Sequence, residues 1–184
     1  MSDEQLIKKT LSGDVEAFGD LVVKYQNRLF NTVFRIVGNQ EDAQDIVQEA
    51  FLQAFSNLSR FRMSSQFYTW LYRIAFNVAV NTLQQRKRFI SVESLPEDIG
   101  ESFVDKGETA QEETSRREDA AILWSAIDRL PLDYRAPLVL REIEDASYEE
   151  IAEMLKIPVG TVRSRLHRAR IALKEMMQRH RNDL

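Results

Sequence analysis

Residues 147–165 read Ser147-Tyr148-Glu149-Glu150-Ile151-Ala152-Glu153-Met154-Leu155-Lys156-Ile157-Pro158-Val159-Gly160-Thr161-Val162-Arg163-Ser164-Arg165, and this stretch decides the fold. Ser147 and Glu150 stand at capping-box spacing, the hydroxyl placed for the Glu150 amide and the carboxylate able to return to the Ser147 amide. A short helix therefore starts at Ser147, turns at Lys156-Ile157-Pro158 and restarts at Val159 into a longer one. Two short helices joined by a tight turn form a helix-turn-helix. From Arg163 to Arg181 the second helix carries Arg163, Arg165, Arg168, Arg170, Lys174, Arg179 and Arg181 against the single acid Glu175. Val162, Leu166, Ala169 and Leu173 make the stripe that packs on the preceding helix. Arginine pairs bidentately with guanine edges and clamps phosphates, so this helix is expected to enter a major groove. Arg163, Ser164, His167 and Arg168 are best placed for bases, Arg165 and Arg170 for phosphate and packing, and His180 for solvent. A solvated basic helix, or one that binds a protein partner, is the blander alternative.

Working outward, the rest of the chain also reads as helix, and no strand pattern interrupts it. Helices are expected over about Glu118–Leu130 and, after Pro131, Leu132–Ile143. Pro137 should kink or delay the second of these. In the first half the expected helices are Asp3–Ser12, then Asp14 as N-cap of a helix to Val37, Gln40–Phe55, and Ser65–Arg86. The third turns Ile46, Val47, Ala50, Phe51 and Ala54 inward and leaves Asp42, Asp45, Gln48, Glu49 and Gln53 outward. The last packs Phe67, Tyr68, Trp70 and Tyr72 into six positions and ends basic at Arg86-Lys87-Arg88. Between Ile90 and Arg117 periodicity lapses and Pro96, Gly100 and Gly107 intrude. The expected organisation is all-α: a helical domain over 1–90, a flexible acidic linker over 91–117, and a second helical domain over 118–184.

The charge supports that division. The net charge is -4 over 184 residues, which by itself argues against a nucleic-acid partner. Yet Glu93–Asp119 holds ten acids and three bases, so that stretch carries -7 and the two flanks together +3. One acidic segment masks two mildly basic lobes.

Composition excludes several classes. There are no cysteines and only two histidines, so neither a disulfide framework nor a thiolate or imidazole metal site is expected. No glycine-rich phosphate loop or nucleophile motif supports an enzyme such as a nuclease. No catalytic, metal or cofactor site and no small-molecule substrate are expected. No run reaches the roughly 18 apolar residues of a membrane span, and the N-terminus has no signal-peptide pattern, so a cytoplasmic protein without membrane insertion is expected.

The motifs together are more specific than any one. Asp45-Ile46-Val47-Gln48-Glu49-Ala50-Phe51, Phe67-Tyr68-Thr69-Trp70-Leu71-Tyr72-Arg73-Ile74-Ala75, Ser147-Tyr148-Glu149-Glu150-Ile151-Ala152 and Pro158-Val159-Gly160-Thr161-Val162-Arg163-Ser164-Arg165 occur in that order. In order and spacing, across nearly the whole chain, they resemble the extracytoplasmic-function sigma factors of bacterial RNA polymerase. That family keeps two sigma domains, regions two and four, joined by a variable linker.

The resemblance implies a non-enzymatic factor that binds core RNA polymerase and promoter DNA, commonly restrained by an anti-sigma factor. It implies that the helix carrying Asp42, Asp45, Gln48, Glu49 and Phe51 docks on the clamp helices of the largest polymerase subunit; alone, this helix would pass for an amphipathic helix with a solvated face. It assigns the minus-ten element to the loop from Leu58 to Ser64 and the aromatic helix, with Phe61, Trp70 and Asn77 near a captured base and Arg60, Arg62, Arg73 and Lys87 along phosphates. Unstacked bases favour aromatic faces and nearby cations. Most of these aromatics could equally be core, with Phe67, Leu71, Ile74 and Val78 as the inward stripe, and Tyr68 and Trp70 stay open between core and DNA. The helix-turn-helix takes the minus-thirty-five element. The linker acids are open between an RNA mimic in the polymerase channel and a solvated spacer. A free-standing helix-turn-helix regulator remains the competing reading.

Overall fold

The computed structural model describes residues 1–90 and 120–182, with side chains for 1–86 and 120–180. The expected linker, the Lys87 side chain and the start of the helix expected from Glu118 lie outside these. The described residues contain helices and no strand.

The first lobe comprises α1 (Asp3–Leu11), α2 (Val15–Val37), α3 (Gln40–Ser56), a 3-10 turn at Leu58–Arg60, and α4 (Phe67–Ile90). Polar caps set the starts. Ser2 and Gln5 form a capping box on α1, Asp14 accepts from the Ala17 amide at 3.3 Å, and Asn39 accepts from the Asp42 amide at 2.9 Å. Gly38 ends α2 with φ of 74°, a left-handed conformation natural to glycine. α3 packs on both α2 and α4, and α1 closes over α2. Leu21, Leu29, Ile36, Ile46, Ala50 and Leu71 fill the centre.

The second lobe comprises α5 (described over 120–128), α6 (Leu132–Glu142), α7 (Tyr148–Leu155) and α8 (Val159–Asn182). The capping box at Ser147 forms as read, with the Glu150 carboxylate 2.8 Å from the Ser147 amide. The turn before α8 is held by Lys156 in the left-handed region, at φ 53°. Pro137 does not delay α6, which begins at Leu132 and carries the proline in its interior, buried with Ala136, Leu138, Val139 and Leu140. Burial of that apolar run offsets the hydrogen bond the proline removes.

The lobes are not beads on a string. α2 packs on α6 and α4 packs on α7, so buried side chains of both lobes join in one apolar cluster. This corrects the stripe expected on α4. Tyr68, Tyr72, Ala75 and Ala79 are buried along with Phe67 and Leu71, whereas Ile74 and Val78 are half-buried. A helix with neighbours on two sides buries a wider arc than one amphipathic stripe.

Candidate polymerase and nucleic-acid interfaces

On α8, Val162, Leu166 and Ala169 are buried against α6 and α7, which turns Arg163, Ser164, His167 and Arg168 outward as one exposed surface. Among the described residues neither Arg163 nor Arg168 has a carboxylate within 4 Å. Two other arginines of the same helix are tied down within the lobe. Arg165 is half-buried with Nη2 3.3 Å from Asp133, and Arg170 reaches Glu142 at 2.8 Å. The helix thus divides its cations into a free outward group and a group that braces it on α6. The Ser164 hydroxyl donates to the Thr161 carbonyl at 3.0 Å, and reaching a base would require it to rotate away.

On α3, Asp45, Gln48 and Glu49 are exposed, and Asp42 is half-buried with a 2.7 Å ion pair to Arg86. Phe51 does not share that face. It is 6% exposed and meets Phe18 edge-on at 6.4 Å. Phe51 and Gln48 instead both line, from α3, a groove of about 620 Å³ between α2 and α3, whose walls include Phe18, Val22, Phe30 and Leu52. Exposed Leu52 and Phe55 extend its apolar rim. Sequence reading missed this groove. The signal was present in Leu52 and Phe55, large apolar residues three apart on α3 and outside its inward stripe.

Around the start of α4, Arg62 and Asn77 are exposed and Phe61 and Arg73 half-buried. Trp70, expected near a captured base, is 8% exposed. Its ring lies 5.0 Å from Phe61 and 5.8 Å from Phe67, so it backs Phe61 from beneath. Tyr68 is 3% exposed, and its phenol is pushed up first by burial. Tyr68 is therefore core, because α4 carries it into the seam between the lobes.

That seam contains a polar cluster that sequence reading did not find. Glu144, in the loop after α6, accepts from Arg28 Nε at 2.6 Å and from the Thr32 hydroxyl. The Arg28 guanidinium sits 4.0 Å from the Tyr68 ring centre, and the Tyr68 and Thr32 hydroxyls are 3.3 Å apart. Nearby, Arg135 donates to the Ile36 carbonyl at 2.9 Å, and Arg35 lies 3.7 Å over Trp124. The Tyr72 hydroxyl is buried without a hydrogen-bond partner among the described residues. Contacts between residues more than a hundred positions apart leave no periodic trace in a sequence.

No group of His, Cys, Asp or Glu able to hold a metal ion is found among the described residues. No described helix is long and apolar enough to cross a membrane.

Two family descriptions match the lobes separately: Sigma-70 region 2 over residues 21–89 and Sigma-70, region 4 over 120–173. The RNA polymerase sigma-H factor of Pseudomonas aeruginosa is 41% identical, covering 96% of this chain and 94% of that one. The ECF RNA polymerase sigma-E factor of Escherichia coli K12 is 40% identical, covering 97% and 95%. In fold, the chain is similar to the sigma factor RpoE of Bartonella quintana, solved in complex with the anti-sigma factor NepR. There the TM-score is 0.72 at 23% identity, covering 88% of this chain and 96% of that one. With region 2 and region 4 in the expected order and relatives matching nearly end to end, the chain belongs to the extracytoplasmic-function sigma factors of RNA polymerase.

Proposed function

We propose that the chain docks on core RNA polymerase through α3 and directs it to promoters by reading two DNA elements with separate surfaces. The observation that carries this is the division of α8, whose Arg163, Ser164, His167 and Arg168 stand outward while its apolar stripe is buried. A recognition helix presents its N-terminal residues to base edges in the major groove in this way. Arg165 and Arg170 would reach phosphates by exchanging Asp133 and Glu142 for a stronger anion.

For docking, Asp42, Asp45, Gln48 and Glu49 supply an acidic, amide-bearing rim beside the apolar groove that Phe51 lines. A polymerase coiled coil with basic and apolar residues complements both parts. For the minus-ten element, Arg62, Arg73 and Asn77 take backbone and base edge, Phe61 offers the ring, and Trp70 supports Phe61. The protein then acts in the cytoplasm, where polymerase is, and an anti-sigma factor restrains it.

The test is run-off transcription from a promoter library with core polymerase, with and without the protein. Promoter-specific RNA only in its presence is expected. Its absence, together with DNA binding that needs no polymerase, would favour the free-standing regulator.

A further inference from the structure

Phe61, proposed above to face the minus-ten strand, does not stand alone. It lies 5.0 Å from Trp70 and meets Phe67 edge-on at 5.9 Å. Phe67 in turn lies 5.7 Å from the buried ring of Tyr25, on α2. The Tyr25 hydroxyl donates to Oδ2 of Asp3, in the first turn of α1, and the other oxygen of that carboxylate takes Lys24 Nζ at 2.5 Å. The capping box of Ser2 and Gln5 fixes the turn that carries Asp3.

The loop that presents Phe61 is held on α1 as well. α1 touches the 3-10 turn, where Leu58 is buried, and the Phe61 amide donates to the Leu58 carbonyl at 3.0 Å. Two residues further on, Met63 keeps a left-handed backbone at φ 53° although it carries a Cβ. Such a conformation persists only where its surroundings over-determine it. The loop is therefore preset, with α1 as its anchor on one side and Phe67 on the other.

Asp3 is not needed to close the core. Leu6 and Ile7 already bury α1, and the Asp3 side chain is 25% exposed, so the phenol would meet water if the carboxylate were gone. What the bond adds is direction. Aromatic pairs depend on offset and tilt, so a phenol tied at its tip passes its orientation to Phe67 and from there to Phe61. A ring ordered before the base arrives spares the ordering cost at capture.

We infer that Asp3 is a positioning residue for base capture: through the Tyr25 hydroxyl and the Phe67 ring it presets Phe61 for an unstacked base of the minus-ten strand. This rests on the minus-ten reading of Phe61 proposed above. Asp3 acts only through the rings, because its own charge would be repelled by phosphate.

The test uses holoenzyme assembled with core polymerase and the labelled nontemplate minus-ten strand of a promoter found by run-off. The strand is intact or carries one abasic site, moved along the element, and binding is read by fluorescence anisotropy at fixed salt. The captured base is the one whose loss weakens the parent most, and the intact-to-abasic affinity ratio there measures capture. Tyr25→Phe and Asp3→Ala should each lower that ratio by about three- to tenfold, the range of one hydrogen bond lost. Affinity for the abasic strand and for a minus-thirty-five duplex should stay at the parental level. The paired Asp3→Ala/Tyr25→Phe chain should lose no more than either single variant, because both remove the same contact. Asp3→Asn, whose amide oxygen still accepts from the phenol, should keep most of the ratio, and Lys24→Gln, which leaves that bond intact, should keep all of it. A merely structural role for α1 would weaken intact and abasic strands alike and leave the ratio unchanged. That result, or losses that add in the paired chain, would overturn the positioning role. If Asp3→Ala fails to fold by circular dichroism, Tyr25→Phe, which keeps the ring, decides alone. A parent indifferent to base loss at every position would instead reject base capture by Phe61, and the role of Asp3 with it.

Discussion

The two helices proposed to read DNA differ in how many neighbours they have. α8 packs on one side, against α6 and α7, and the rest of its surface faces outward. α4 packs against α2 and α3 on one side and α7 on another. The first can separate its duties by face, with an apolar stripe inward and arginines outward. The second cannot, so its aromatics serve the seam and the core first, and only a narrow arc through Arg73 and Asn77 is left accessible for the DNA contact proposed above. A helix that reads an intact duplex needs an open face for polar and cationic side chains; one that captures an extruded base needs a rigid aromatic support, which a crowded core provides.

Truncation at Trp70 tests this contrast most severely. Trp70→Ala should cost about 3–5 kcal/mol of folding stability by emptying the space beneath Phe61, measured by urea unfolding. A variant of parental stability that fails to open promoters would break the contrast, because Trp70 would then touch DNA directly. On α8 the same truncation should separate binding from folding. Arg168→Ala is expected to weaken binding to a minus-thirty-five duplex by about 1–3 kcal/mol in fluorescence anisotropy at fixed salt, with stability changed by no more than about 0.5 kcal/mol. Loss of stability as well would place Arg168 among the bracing cations.

A smaller effect belongs to the cap that opens α7, the helix against which α8 packs. Ser147→Ala should destabilise the second lobe by about 1 kcal/mol, read by hydrogen exchange in α7, and leave α2 and α3 unaffected. The smallest is a pH effect. The Ser147 amide and then its hydroxyl hold the Glu150 carboxyl below the usual carboxylate range. Because the folded value is depressed, the stabilisation is present above the unfolded value and lost as pH falls through the folded one. Solvent partly screens this half-buried group, so acidification should weaken the cap by less than Ser147→Ala does. Glu150→Gln should flatten that acid dependence in a urea titration.

These cases also show what was legible in the sequence. Capping boxes, helix bounds and the faces of α8 follow local rules, and Ser147, Glu150 and Val162 to Ala169 sit where spacing puts them. Asp45, Gln48 and Glu49 are outward on α3 for the same reason. Trp70 and Tyr68 could not be resolved, because periodicity reports one buried stripe and cannot count neighbours supplied by another lobe. Glu144 was invisible: an acid in a loop after a helix reads as solvated, and its burial depends on Arg28 and Thr32 far earlier in the chain. The groove between α2 and α3 lay between these extremes, hinted at by Leu52 and Phe55 but defined only when α2 supplies its other wall.

Lys156 carries a consequence for heat. Its left-handed backbone, at φ 53°, is one that side chains with a Cβ adopt at a cost and glycine adopts freely. Lys156→Gly should relieve that strain by up to about 1 kcal/mol, partly offset by the greater freedom glycine has when unfolded. For a lobe of this size the remainder corresponds to a melting temperature about 2–4 °C higher. The helix-turn-helix thus retains an unused margin of thermal tolerance at its own hinge, reachable by one substitution that leaves the exposed residues of α8 unchanged.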